Sequence, residues 1–121
     1  MKSFITGNTF PINLIRRKVT IKPETFENYY AALNNNQWES FWGHSNTLPI
    51  VNTLVRKDLT PKIERPAISI DEDGFPSLYG KSYKECWILS PNYKENFRPA
   101  IGVEIKASDI KSWDVLHMHW E

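Results

Sequence analysis

The chain has a single cysteine, no long apolar run and almost no net charge, and each shortage removes a class of protein. Cys86 alone permits neither an internal disulfide nor a thiolate cage for zinc. Lys and Arg number 15 against 14 Asp and Glu, and the resulting +1 is too small for the general positive field that holds long nucleic acid. Any anion must therefore be caught locally. No segment has the length of a membrane-spanning helix, and Met1 to Phe10 lacks the apolar run of a secretory signal, so a cytoplasmic protein with no membrane partner is expected. A Walker loop, a dinucleotide fingerprint, a serine-nucleophile motif, internal repeats and low-complexity tracts are missing as well.

What remains describes a packed domain. With 121 residues, 40% of them hydrophobic and 13% aromatic, the chain can bury one core and is too short for two ordinary domains, so residues 1–121 are read as one unit. Lys2 to Thr6 alternates and ends at the turn pair Gly7-Asn8, which predicts a first strand. An apolar connector holding Pro11 leads to a half-buried second strand at Val19 and Ile21. Pro23 and Glu24 open a helix with Phe26, Tyr29, Tyr30 and Leu33 on one face, stopped by Asn34-Asn35-Asn36. Gln37 to Phe41 and Pro66 to Ile70 read as strands, and Glu72-Asp73-Gly74 as a turn. Glu85 to Leu89 reads as a buried central strand, Ser90 to Asn96 as an exposed loop, Gly102 to Ile105 as a further strand. Ser108 or Asp109 caps a short helical turn, and Trp113 to Trp120 is a last strand with Leu116, Met118 and Trp120 on one face. Interleaved strands and helices predict an α/β or α+β fold with one mixed sheet of about five strands flanked by helices.

The stretch Trp42 to Leu54 carries the chemistry. Ser45, Asn46 and Thr47 are helix-capping types, Pro49 suits a first turn, and Leu48, Val51, Leu54 and Val55 recur at helical spacing, which predicts a helix from near His44 to near Lys57. The unpaired amides of a helix start attract anions, phosphate above all, and an imidazole at that corner can donate a proton to a phosphate ester. On the plainer reading His44 is a capping or packing residue. His117-x-His119 places two imidazoles on one strand face without an evident third ligand, so a surface strand is preferred over a metal site. Asp71, Glu72 and Asp73 lack the spaced ligand series of a calcium loop.

Three segments together resemble one family, the small anti-CRISPR ring nucleases of archaeal viruses, with relatives in bacteria, phages and plasmids. The segment Phe4-Ile5-Thr6-Gly7-Asn8-Thr9-Phe10-Pro11-Ile12-Asn13-Leu14 resembles the family's opening strand and its Asn-x-Phe-Ser-Ile-Asn sequence. Gly43-His44-Ser45-Asn46-Thr47, followed by Ile50-Val51-Asn52-Thr53-Leu54, resembles its Gly-His-x-x-Thr motif. Arg98-Pro99-Ala100-Ile101-Gly102, with Ile105 and Asp109-Ile110, resembles its Arg-Leu-x-Glu-Gly turn and capped helix. The resemblance covers most of the chain and implies a homodimer, able to assemble further, that grips a cyclic oligoadenylate across its two-fold axis and opens it without metal or organic cofactor. Such proteins silence a defence signal and act in the host cytoplasm when viral.

In the mechanism so implied, a ribose 2′-hydroxyl attacks the adjacent phosphorus and the motif His, His44 here, protonates the departing 5′-oxygen. A free imidazole titrates near pH ~6.5, which suits that role at cellular pH. The helix start lowers the imidazole's pKa and bound phosphates raise it, so His44 is expected to be neutral in the free protein and to gain a proton with ligand. Arg65 and Arg98 match phosphate-binding arginines, suited to two oxygens at once, with ordinary surface charge as the alternative. Asn8 and Asn13 match ligand-approaching residues or serve only as turn caps, and Gly43, Ser45, Asn46 and Thr47 line the corner. Pro11 stands where the family has Ser, and Ile101 where it has a catalytic Glu, with Glu95 a substitute suggested by sequence proximity alone. The longer Gly74 to Glu85 segment offers Phe75, Tyr79 and Tyr83 for stacking on bases. The departures favour a rival function, a sponge that sequesters, uncut, a cyclic nucleotide signal of another defence pathway. A third possibility is a transcriptional or interaction protein with no such ligand.

Overall fold

The computed structural model describes residues 3–41, 68–95, 97 and 107–121. Its centre is strand β1 (Ser3–Gly7), in which Phe4, Ile5 and Thr6 are all within 1% of complete burial. Alternate side chains of a strand point to opposite faces, so burial of consecutive residues requires cover on both. Parallel neighbours flank it: β3 (Gln37–Ser40) in register Phe4 to Trp38, and β7 (Glu85–Tyr93) in register Ile5 to Cys86. Strand β8 (Ile110–Trp120) runs antiparallel to β7, and β2 (Val19–Glu24) antiparallel to β8, giving the order β2-β8-β7-β1-β3. This is the expected α+β class with one mixed five-stranded sheet.

One face of the sheet is covered by helix α1 (Phe26–Asn35). Thr25 caps it, its hydroxyl accepting from the Asn28 amide at 3.1 Å, and the helical spacing of Tyr29 and Leu33 turns both onto Phe4, Trp87, Leu89 and Val115. Full burial of side chains of this size contributes about 1.5–3 kcal/mol each. The opposite face holds Ile5, Cys86, Ile88, Met118 and Trp120. There a small antiparallel sheet lies against it, β4 (Ser69–Ile70), β5 (Pro76–Leu78) and β6 (Lys81–Ser82), with Leu78, Tyr83 and Phe75 packed inward. Tyr79 and Gly80 form the two-residue hairpin, both with positive φ (53° and 77°), as a primed turn demands. Asp71 clamps the preceding turn: its Oδ1 accepts from the Asp73 and Phe75 amides and its Oδ2 from the Ser82 hydroxyl at 2.6 Å. The Ser82 and Phe75 bonds hold that carboxyl below its ordinary pKa.

Several expectations need correction. Pro23 and Glu24 belong to β2, and the helix begins three residues later than Pro23, because Thr25 and not Glu24 supplies the cap. In β2 only Val19 packs against the core, and Ile21 is 45% exposed at the sheet edge. Residues 90–93 continue β7 where a loop was expected. On β8, Met118 and Trp120 are buried as expected, whereas Leu116 on the same face is 36% exposed. The 3₁₀ turn Ala107–Asp109 ends where Ile110 starts β8. The expected helix from His44 to Lys57, the Thr60-Pro61 loop and the Gly102–Ile105 strand lie outside the described residues.

Between sheet and helix, the Thr6 and Tyr29 hydroxyls bond at 2.8 Å in a buried site. Thr6→Val preserves shape and leaves the phenol unpaired, so chemical denaturation should show a loss of about 1–3 kcal/mol. The double variant Thr6→Val/Tyr29→Phe should recover most of it, since neither group then lacks a partner.

Candidate functional site

Three of the sheet's strands, β1, β3 and β7, run in the same direction, so their carboxyl ends point the same way. In sequence, β1 opens the first of the three family-like segments, and β3 and β7 precede the other two. Asn8 follows β1, Gly43-His44 stands three residues beyond β3 in sequence, and Arg98 stands five beyond β7. In open sheets the region outside the carboxyl ends of parallel strands is where ligands bind, since the connecting loops can vary there without disturbing the core.

The end of β1 is fixed from both sides. Phe41 donates its amide to the Thr6 carbonyl at 2.9 Å, and its ring lies so close to Gly7 that a Cβ there would stand 2.4 Å from it. Only glycine lets the Phe41 ring lie this close to the end of β1. On the other flank the Ser90 hydroxyl donates to the Asn8 carbonyl at 2.8 Å. Asn8 is thus seated between β3 and β7. Beyond it the chain crosses the sheet face opposite α1 to reach β2, with Phe10 packed on Trp120 at a ring separation of 5.3 Å. Pro11 and Asn13 lie exposed on this crossing, around the 3₁₀ turn Ile12–Leu14. The Asn13 carbonyl accepts from the Arg16 guanidinium at 2.8 Å. Past β7, Lys94 donates its amide to the Asp109 carbonyl and the Phe97 ring stands 5.4 Å from that of Tyr93, while Glu95 is exposed. His44, Gly43, Ser45, Asn46, Thr47, Arg65, Arg98 and Ile101 lie outside the described residues.

The aromatic residues expected to meet bases divide. Phe75 carries the Arg17 guanidinium 4.3 Å above its ring, and the same guanidinium donates to the main-chain oxygens of Asp73 and Glu121. Tyr83 is 8% exposed within the core, whereas Tyr79 projects 63% exposed from the hairpin tip. Neither Ser90 nor Phe41 stood out in the sequence, because each acts through a neighbour far along the chain.

A second group of polar side chains sits on the α1 face at the opposite end of β7. The His117 ring stacks flat on Trp87, 4.2 Å between centroids, with its Nε2 3.4 Å from Glu85 Oε1. That approach lacks the alignment of a hydrogen bond. Among the described residues no three His, Cys, Asp or Glu side chains converge on a possible metal position. No described helix is long and apolar enough to cross a membrane. Compared with known proteins, the chain matches no family model and no curated sequence.

Two outcomes follow from this geometry. Gly7→Ala drives a methyl into the Phe41 ring, and thermal melts should report a loss of about 1–3 kcal/mol, where a cost below a few tenths would show that the approach is not tight. For His117, burial lowers the pKa more than Glu85 raises it. The unfolded imidazole therefore binds protons more readily, and its contribution to stability is lost as pH falls below ~6.5. An NMR titration should place the His117 pKa below that of an unfolded chain, and a higher value would reverse the sign.

Proposed function

We propose that this protein binds a cyclic oligonucleotide second messenger of antiviral defence at the carboxyl ends of β1, β3 and β7, between two copies of the chain, and opens it. The observation that carries the reading is the shared direction of those three strands, of which β1 opens the first of the three segments that resemble the ring nucleases and β3 and β7 precede the other two. Asn8, held to β7 by Ser90 and preceded by Gly7 against the Phe41 ring, supports it from the described residues. The chemistry needs no cofactor. A ligand 2′-hydroxyl attacks phosphorus and loses its proton to water, the P–O5′ bond breaks to leave a 2′,3′-cyclic phosphate end, and His44 protonates the leaving 5′-oxygen. Arg65, Arg98 and the amides of Ser45, Asn46 and Thr47 are assigned to phosphate charge, with Gly43 and Asn13 beside the ligand. A small ring of two-fold symmetry is most simply gripped by two identical copies.

Sequestration without cleavage is the second reading, favoured by Ile101 and Pro11 at positions where the family carries Glu and Ser. One experiment separates the two. The protein is incubated with cyclic di-, tri- and tetranucleotides, and the ligand is analysed by mass spectrometry. Linear products that fall by about 10²–10⁴-fold in His44→Ala fit a lost general acid. Intact ligand retained through gel filtration identifies a sponge. Neither retention nor cleavage of any ring would remove both readings.

A further inference from the structure

Strand β2 closes the sheet on the side away from β3, and among the described residues nothing pairs with its outer edge. The Glu121 amide donates to the Lys18 carbonyl at 3.1 Å, which fixes the parity of the ladder: even-numbered residues of β2 turn their main-chain groups toward β8. Val19, Ile21 and Pro23 therefore turn theirs outward. Pro23 has no N–H to offer, and a proline belongs at such an outward position. The side chains of the same three residues lie on the face opposite α1, in register with Trp120, Met118 and Leu116. Ile21 and Leu116 are 45% and 36% exposed there, so the edge carries an apolar strip beside its unused main-chain groups.

We infer that this edge pairs with the same edge of a second copy, antiparallel and centred on Ile21, so that one sheet runs through both chains. With the residue before it the strand reads Lys18-Val19-Thr20-Ile21-Lys22-Pro23-Glu24, and with its centre on Ile21 it complements itself along its whole length. Centred on Ile21, each Lys18 faces Glu24 of the other copy, Val19 faces Pro23, and the two Ile21 side chains meet. The Ile21 amides exchange bonds with each other's carbonyls, and each Val19 amide finds a Pro23 carbonyl, so the missing proline N–H leaves no other amide without an acceptor. Moving the centre to Thr20 sets Lys18 against Lys22, and moving it to Lys22 sets two Lys22 side chains together. Like charges directly opposed destabilise a sheet pair, so electrostatics selects the Ile21 centre over both neighbours. Lys18 is 79% exposed in its contact with Glu121, and so can turn to Glu24 of the other copy, which also accepts from Asn28 and contacts Lys22 of its own chain.

This contact goes beyond the proposed ligand site and needs no ligand. Antiparallel pairing points β1, β3 and β7 of the two copies in opposite directions, so a ligand shared between chains uses a different two-fold axis, and the two axes close a tetramer where they cross at right angles. The test is the mass of the ligand-free full chain by light scattering across a concentration series. Ile21→Lys should halve it, with circular dichroism confirming an intact fold. Lys18→Glu should weaken association at least tenfold, and Lys18→Glu/Glu24→Lys should restore it. A wild-type chain that stays monomeric, a mass unchanged by Ile21→Lys, or a folded double variant no tighter than Lys18→Glu would overturn the pairing.

Discussion

Burial of β1 on both faces and along both edges is the constraint from which the remaining architecture follows. Phe4 must meet a helix, Ile5 must meet the opposite layer, and a strand with parallel neighbours on either side cannot be reached by hairpins. The chain therefore crosses one face between β1 and β2 and the other, through α1, between β2 and β3. Inside this arrangement the Thr6 hydroxyl is satisfied by that of Tyr29, whose own phenol burial pushes well above its ordinary pKa. Gly7 follows because no Cβ fits against Phe41. The position of Asn8 is thus a consequence of core packing.

Much of this order was legible along the chain. Period-two alternation marked β8, helical spacing marked α1, and the dense apolar run of residues 85–89 marked the interior strand. Two of the places where strands were cut short share one cause. Pro23 was read as opening a helix and Pro91 as part of a loop, yet both lie inside strands with the ring nitrogen turned away from β8. Pro23 faces the outer edge. Pro91 lies three residues past Ile88, the last of β7 to pair with β1, so among the described residues no strand stands on that side of it. A proline is tolerated where its nitrogen faces no partner, and which side of a strand lacks a partner is a property of the sheet, invisible to local sequence.

The candidate site divides in the same way. Its three segments were visible as motifs, whereas their common orientation depends on the parallel register of β1, β3 and β7. Ser90 and Phe41 carried no signal, because a serine in a polar run and a phenylalanine after a strand acquire meaning only when Asn8 and Gly7 are brought beside them. His117-x-His119 shows the reverse case. The spacing hinted at metal, but the Trp87 stack and the Glu85 carboxylate engage the inner imidazole instead.

The charge inventory narrows how the proposed ligand would be held. Both described arginines are committed to the scaffold, Arg16 to the carbonyls of Asn13 and Ile15, and Arg17 to Asp73, Glu121 and the Phe75 ring. Lys18 and Lys22 contact carboxylates, and Lys81 and Lys84 lie over aromatic rings. With a net charge of only +1, no diffuse field substitutes for them. On the proposed function, phosphate charge falls to main-chain amides and to Arg65 and Arg98, with Lys94 exposed just beyond the end of β7. Amide dipoles fixed by the fold are aligned before the ligand arrives, and such preorganisation stabilises a developing oxyanion without reorganisation at the moment of reaction. A nearly neutral chain can therefore act on a highly charged ring without attracting longer nucleic acids that share its backbone chemistry.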